Sequence, residues 1–137
     1  MKVYLSSGVL FSLLTNPKKK NISEVLEEYV QNQDKLYTSV YSMLNVFSSL
    51  PSHKNTKNRI ILHLIEEITE EILPLQKQSL EVLTSNESTE GFSIAGMEIS
   101  ISLLEGMDEV LFWEEGDISL PKKKTGLSLR NLFREMN

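Results

Sequence analysis

Cysteine is absent from the 137 residues, which excludes disulfide frameworks, Cys-ligated zinc, Fe–S clusters and thiol catalysis. Aspartate is nearly absent too: Asp34, Asp108 and Asp117 are the only three among nineteen acids, the rest being glutamates. No apolar run approaches the roughly 20 residues that span a bilayer. The apolar stretch from Gly8 to Leu14 lacks a small-x-small cleavage site and is interrupted by Asn16-Pro17-Lys18, so it does not read as a signal peptide. Basic charge is in deficit. Fourteen Lys and Arg give a net charge of −5, which disfavours indiscriminate polyanion binding, because that affinity comes from cations neutralising phosphates. What is present is an ordinary globular composition, 40% apolar and 24% charged, enough for one domain over residues 1–137. These features together predict a soluble protein of the cytoplasm.

Short β-rich segments alternate with amphipathic ones. Lys2 to Leu5 reads as a buried strand, and Ser6 or Ser7 as the N-cap of a helix running to Thr15. A second helix is expected from Ser23, a strand at Lys35 to Thr38, and a third helix capped by Ser39. From Arg59 to Ile72, Ile60, Ile61, Leu64, Ile65, Ile68 and Ile72 recur at helical spacing, with Glu66, Glu67, Glu70 and Glu71 on water. Pro74 allows a very short strand at Ile72 to Leu75, before a helix at Gln76 to Thr84. Ser93 is placed to cap a helix from Ile94 to Leu104 that Gly106 terminates. Glu109 to Trp113 is a strong strand; a short edge strand at Ile118 to Leu120 and a closing helix at Ser128 to Met136 complete the chain. Such alternation predicts an α/β fold, a three-layer α/β/α sandwich around a mainly parallel sheet of four to five strands. Ligands in such sheets bind at the carboxyl ends of the strands. That directs attention to Ser6 to Gly8, the Thr38-Ser39 corner, the start of helix 94–104, and the residues from Trp113 onward.

At those four places the chain resembles the PIN domain, the nuclease fold of many prokaryotic toxin–antitoxin toxins and of some eukaryotic RNA-processing enzymes. KVYLSSGVLFSLL resembles the family's first strand and helix, and LYTSVYSMLNVF its second strand and following helix. RIILHLIEEITEEILPLQKQSLEVL is similar to the middle pair of helices, and FSIAGMEISISLLEGMDEVLFWEEGDISL to the final block. Family members group three or four carboxylates that hold Mg²⁺ or Mn²⁺ and activate a water against an RNA phosphodiester. Carried over by position, those acids fall on Ser6, Asn45, Gly96 and Glu114, with Glu115 and Asp117 close by. Three of the four are neutral here. The resemblance therefore implies a pseudonuclease with no intact catalytic set, no expected cofactor, and at most Glu114 and Asp117 as metal ligands. The alternative is a divalent-metal-dependent, toxin-type endoribonuclease with a rearranged acidic site, and only then would Mg²⁺ or Mn²⁺ be needed.

Further features carry lesser expectations. Glu98, Glu105, Asp108, Glu114, Glu115 and Asp117 form an acidic block; because residues two apart on a helix face about 200° apart, Glu98 is expected to point away from a site addressed by position 96, on a solvated face. Lys18 to Lys20 and Lys122, Lys123 and Lys124 are the two basic clusters, either phosphate-gripping or loop-solubilising. His53 falls in a polar loop and His63 has only Glu66 and Glu67 at helical spacing, so both read as surface residues. Of Phe112 and Trp113, one ring is expected beneath a helix and the other is free to reach the crevice. The resemblance also implies a homodimer or partner protein, with Val9, Leu10, Phe11, Leu13, Val40, Tyr41 and Met43 as candidate contacts.

Overall fold

A computed structural model describes residues 1–15, 19–51, 55–85, 93–116 and 126–137. Its centre is the apolar N-terminal strand, β1 (Lys2–Leu5), whose residues Val3, Tyr4 and Leu5 are fully buried. In chain order there follow α1 (Ser7–Thr15), α2 (Lys19–Gln31), β2 (Lys35–Ser39), α3 (Val40–Ser49) and α4 (Asn55–Ile68). After these come β3 (Glu71–Leu73), α5 (Lys77–Ser85), α6 (Ile94–Leu104), β4 (Glu109–Phe112), β5 (Ser128–Asn131) and α7 (Leu132–Met136). The five strands pair in the order β3-β2-β1-β4-β5, and every pairing is parallel.

Strand alternation divides the core into two layers. Val3, Leu5, Leu36 and Leu111 face α1, α2, α3, α4 and α7, where they meet Leu10, Ile22, Val46, Ile65 and Leu132. Tyr4, Tyr37, Val110 and Phe112 face the other way, onto Met97, Ile99 and Ile101 of α6, with Leu83 of α5 behind. A fully parallel sheet covered on both faces is the α/β/α sandwich expected from the sequence. The chain leaves β1 toward β2 on one side and returns to β4 on the other, so a crevice opens at the carboxyl ends of β1 and β4.

Several element boundaries differ from expectation. The helix expected to reach Ile72 stops at Ile68: Thr69 turns both its N–H (3.1 Å) and its Oγ1 (2.7 Å) back to the Ile65 carbonyl, and Glu70 N–H bonds to Leu36 O at 2.7 Å. Ile72 thereby joins β3. That helix also begins at Asn55 rather than Arg59, and α2 at Lys19 rather than Ser23. The expected closing helix is split. Ser128 to Asn131 pair with Glu109 to Phe112, and the Asn131 side chain caps what remains by accepting from Phe133 N–H at 3.2 Å. The edge strand expected at Ile118 to Leu120 lies outside the described residues. No helix among the described residues is long and apolar enough to cross a membrane.

Candidate functional site

Each strand of the central pair delivers a serine to the crevice. Ser6, fully buried, ends β1: its N–H bonds to Leu111 O at 3.1 Å and its Oγ accepts from Val9 N–H at 3.3 Å, making it the N-cap of α1. Ser39 ends β2 and caps α3 by accepting from Ser42 N–H at 3.1 Å, as its place in the sequence suggests. Between them lies Tyr4, whose hydroxyl is 2.5 Å from Ser39 Oγ and 2.6 Å from Ser42 Oγ.

The surprise is Glu98. Its spacing from position 96 predicts a solvated face; its side chain is instead fully buried. Ser7 N–H donates to Glu98 Oε2 at 2.6 Å, Ser42 Oγ donates to the same oxygen at 2.6 Å, and Ser7 Oγ donates to Oε1 at 3.4 Å. The i, i+2 rule fails for two reasons. Residues Met97 to Ser102 of α6 are buried consecutively, so this helix has no solvated side along that stretch. Position 96 also does not address the crevice: a Cβ on Gly96 would meet Ser93 Oγ at 2.9 Å and Leu83 of α5 at 3.5 Å. Glu98 is the position of α6 that reaches the strand ends.

The hydroxyls form an ordered chain. When Glu98 is ionised, Ser42 gives its one proton to the carboxylate, which leaves Tyr4 to donate to Ser42 and accept from Ser39. Burial pushes the Glu98 carboxyl up to about 7, against the bonds from Ser42 and Ser7, and the nearby charge of Glu114 adds to the rise. Burial, then the Glu98 charge, holds the Tyr4 phenol well above its ordinary value.

Glu114 follows β4 and is half-buried, with its carboxyl raised by burial. Its backbone is fixed by Asn131, whose Oδ1 accepts from Glu114 N–H at 3.1 Å and whose Nδ2 donates to Glu114 O at 2.9 Å. Asn45 lies on α3 one turn beyond Ser42. Its Nδ2 is the one buried side-chain nitrogen or oxygen among the described residues that makes no hydrogen bond. Beside it the Tyr41 phenol is raised, by burial first and by the Glu98 charge last. Glu98, Glu114, Ser7, Tyr41 and Asn45 thus share the crevice region. Among the described residues, no group of three or more His, Asp or Glu side chains is placed to hold a metal ion.

Other sequence candidates separate. Asp108 accepts from Lys2 N–H at 2.7 Å, and Glu105 from Gln76 at 3.2 Å, at the amino side of the sheet, so the acidic block is divided between its two ends. Asp117, His53, Lys18 and Lys122 to Lys124 lie outside the described residues. His63 is on the exposed surface of α4, 4.0 Å from Glu66. Trp113 does not turn into the crevice; its ring meets Phe133 of α7 edge-on at 5.5 Å, while Phe112 is buried on the opposite face. Val9, Leu10 and Met43 are core residues rather than contacts, whereas Val40 is 41% exposed. Nothing in the sequence singles out Tyr4 or Ser42, and helical spacing sets Glu98 on the wrong face. The available signal was Glu98 itself, one charge in the otherwise apolar and small run IAGMEISISLL, which demands buried partners.

No family model matches the chain. Over 113 residues it is 29% identical to a UPF0246 protein of Streptococcus gordonii, a match covering 82% of this chain and 39% of that protein. The chain therefore spans about two fifths of the length of that curated relative. Among solved structures it is similar to VapBC2 from Rickettsia felis bound to a DNA fragment from their promoter. The TM-score is 0.68 and the identity 15%, with 96% of this chain and 98% of that one covered. The fold is PIN-like. At this identity the likeness is one of architecture alone. Within the PIN-like frame, the carboxyl end of the sheet carries a buried glutamate in a serine and tyrosine cage.

Proposed function

We propose that this chain is a catalytically silent PIN-like domain of the cytoplasm, a pseudonuclease that works by binding a partner. The observation carrying this reading is the closure of Glu98: its carboxylate has no exposure, and Ser7 and Ser42 fill it with donors. A hard divalent cation needs about six oxygen ligands in an accessible site, usually with several waters retained. The residues here do not fit one. Ser6 Oγ is committed to its helix cap, Asn45 presents an amide, and of the four family positions Glu114 alone is a carboxylate, half-buried.

A second reading has its own support, the charge of Glu114 acting on Glu98. In that case the two acids form a rearranged metal site of an endoribonuclease. Incubating the protein with Mn²⁺ and a panel of single-stranded RNAs decides between them. Silence across the panel is expected, and cleavage that Glu114→Ala abolishes would establish the enzyme instead.

For the binding role, a homodimer or a partner of the toxin–antitoxin kind is the class we favour. The similar VapBC2 structure is described on promoter DNA. Val40 and Leu44, one turn apart on α3, are 41% and 55% exposed and provide an apolar strip for such a contact. Light scattering is expected to give a mass above one chain, and Leu44→Asp to lower it; a monomer at high concentration removes the dimer. RNA held by Lys122 to Lys124 is the weaker route, checked by the salt dependence of binding.

A further inference from the structure

A cavity of about 650 Å³ opens at the other end of the sheet, by the amino ends of β2 and β3. Its size lies in the range that holds small organic ligands. The apolar part of its wall is Leu26, Val30, Leu36 and Ile68, and Val30 is left 57% exposed there. Its charged part is Glu27, Asp34, Glu67 and Glu70 against a single cation, Lys35. Asp34 is already met by the Met1 amino group at 3.2 Å. Among the described residues, no ion pair engages Glu27, Glu67 or Glu70.

The backbone adds to the same sign. Both α2 and α4 end at the cavity, at Gln31 and Ile68, and neither has a basic residue in its last turn. Helix C-termini carry partial negative charge and are ordinarily complemented by Lys, Arg or His. Here their last turns hold Glu28 and the pair Glu66 and Glu67 instead. Three carboxylates without ion pairs, two helix ends without basic residues and an open apolar wall converge on one space.

The geometry points to a binding site for a small organic cation in this cavity, an ammonium or guanidinium on an apolar body. The head group satisfies the carboxylates and helix ends, and the body covers Val30 and Ile68. An anion of the same shape is repelled, and a purely inorganic cation leaves the apolar wall wet. The site is independent of the pseudonuclease reading, since it uses none of the crevice residues.

The test is calorimetric titration of the intact protein with 4-phenylbutylamine, beside 4-phenylbutyrate, which has the same body and the opposite charge. Saturable binding of the amine is expected, at least about tenfold tighter than the butyrate and weakened by about as much in 0.5 M salt. The Glu27→Gln/Glu67→Gln double variant, altered only at exposed positions, should keep its melting temperature and lose binding about tenfold. Backbone amide shifts should centre on Leu26, Val30 and Ile68. Absence of saturable amine binding, equal binding of the butyrate, or an unaffected double variant overturns the proposal. So does binding shown by a capped Leu-Lys-Leu peptide but not by the free amine, which would make this a protein-docking surface.

Discussion

Glu98 is fully buried, and its folded-state carboxyl sits at about 7 where an unfolded chain has about 4.5. Between those values the folded state binds more protons than the unfolded one, so stability is greatest below 4.5 and falls as pH rises toward 7. The loss is on the order of 3 kcal/mol at most. Glu98→Gln keeps the shape, and its amide oxygen can take the bonds from Ser7 and Ser42. Urea denaturation at pH 5 and pH 8 should show the wild type losing stability on the alkaline side and the variant nearly level; parallel curves would refute the assignment. Gly8 provides a second single-residue test. A Cβ there would lie 2.7 Å from the Trp113 carbonyl, a backbone atom that cannot swing aside. Gly8→Ala should cost about 1–3 kcal/mol, read as a lowered melting temperature.

Among the elements, β5 and α7 depend most on side chains. Asn131 joins three features at once, capping α7 and holding the Glu114 backbone from both sides. Arg130 pairs with Glu135 at 2.8 Å and donates to Tyr29 at 2.9 Å, while Tyr29 donates in turn to Glu109. Asn131→Ala should cost about 1–2 kcal/mol and raise amide exchange in β5 and around Glu114 before the rest of the sheet. This is also where the sequence was least legible. Leu129, Leu132, Phe133 and Met136 have helical spacing, and nothing local reports that β4 waits beside Ser128 with an unpaired edge. Similarly Ile72 continues the period of α4, but the Glu70 N–H leaves the helical ladder for the Leu36 carbonyl and ends it. The buried strands β1 and β2 are readable because each short apolar run ends in a serine that caps the next helix, and β4 because EVLFW is a dense apolar run. Ser6 and Ser39 are visible as caps for that reason, and Ser93 because it directly precedes the apolar run of α6. Glu98 is not, because its surroundings come from α1, α3 and β1, distant in sequence and adjacent only in the sheet.

At the scale of the whole molecule, the sheet separates two polar regions. The serine-lined carboxylate lies at one end of the strands and the acidic cavity at the other. Strands of four or five residues set them roughly 13–16 Å apart. Substitutions that far apart without shared partners should add. Glu98→Gln combined with Glu27→Gln/Glu67→Gln is expected to match the sum of their separate stability changes within about 0.5 kcal/mol. A larger coupling energy in denaturant titrations would mean that β2 transmits strain between its ends.

The strand order also bears on how the chain acquires its shape during synthesis. Of the five strands β1 is made first and finds β2 within some thirty residues, but its other neighbour, β4, follows it by about a hundred. At roughly 5–20 residues per second, Val3, Tyr4 and Leu5 spend about 5–20 seconds with one row of backbone donors and acceptors unpaired. Glu98 arrives within that interval, ahead of β4. During synthesis this apolar strand therefore carries an open edge until β4 arrives, and closing it is among the later steps of folding.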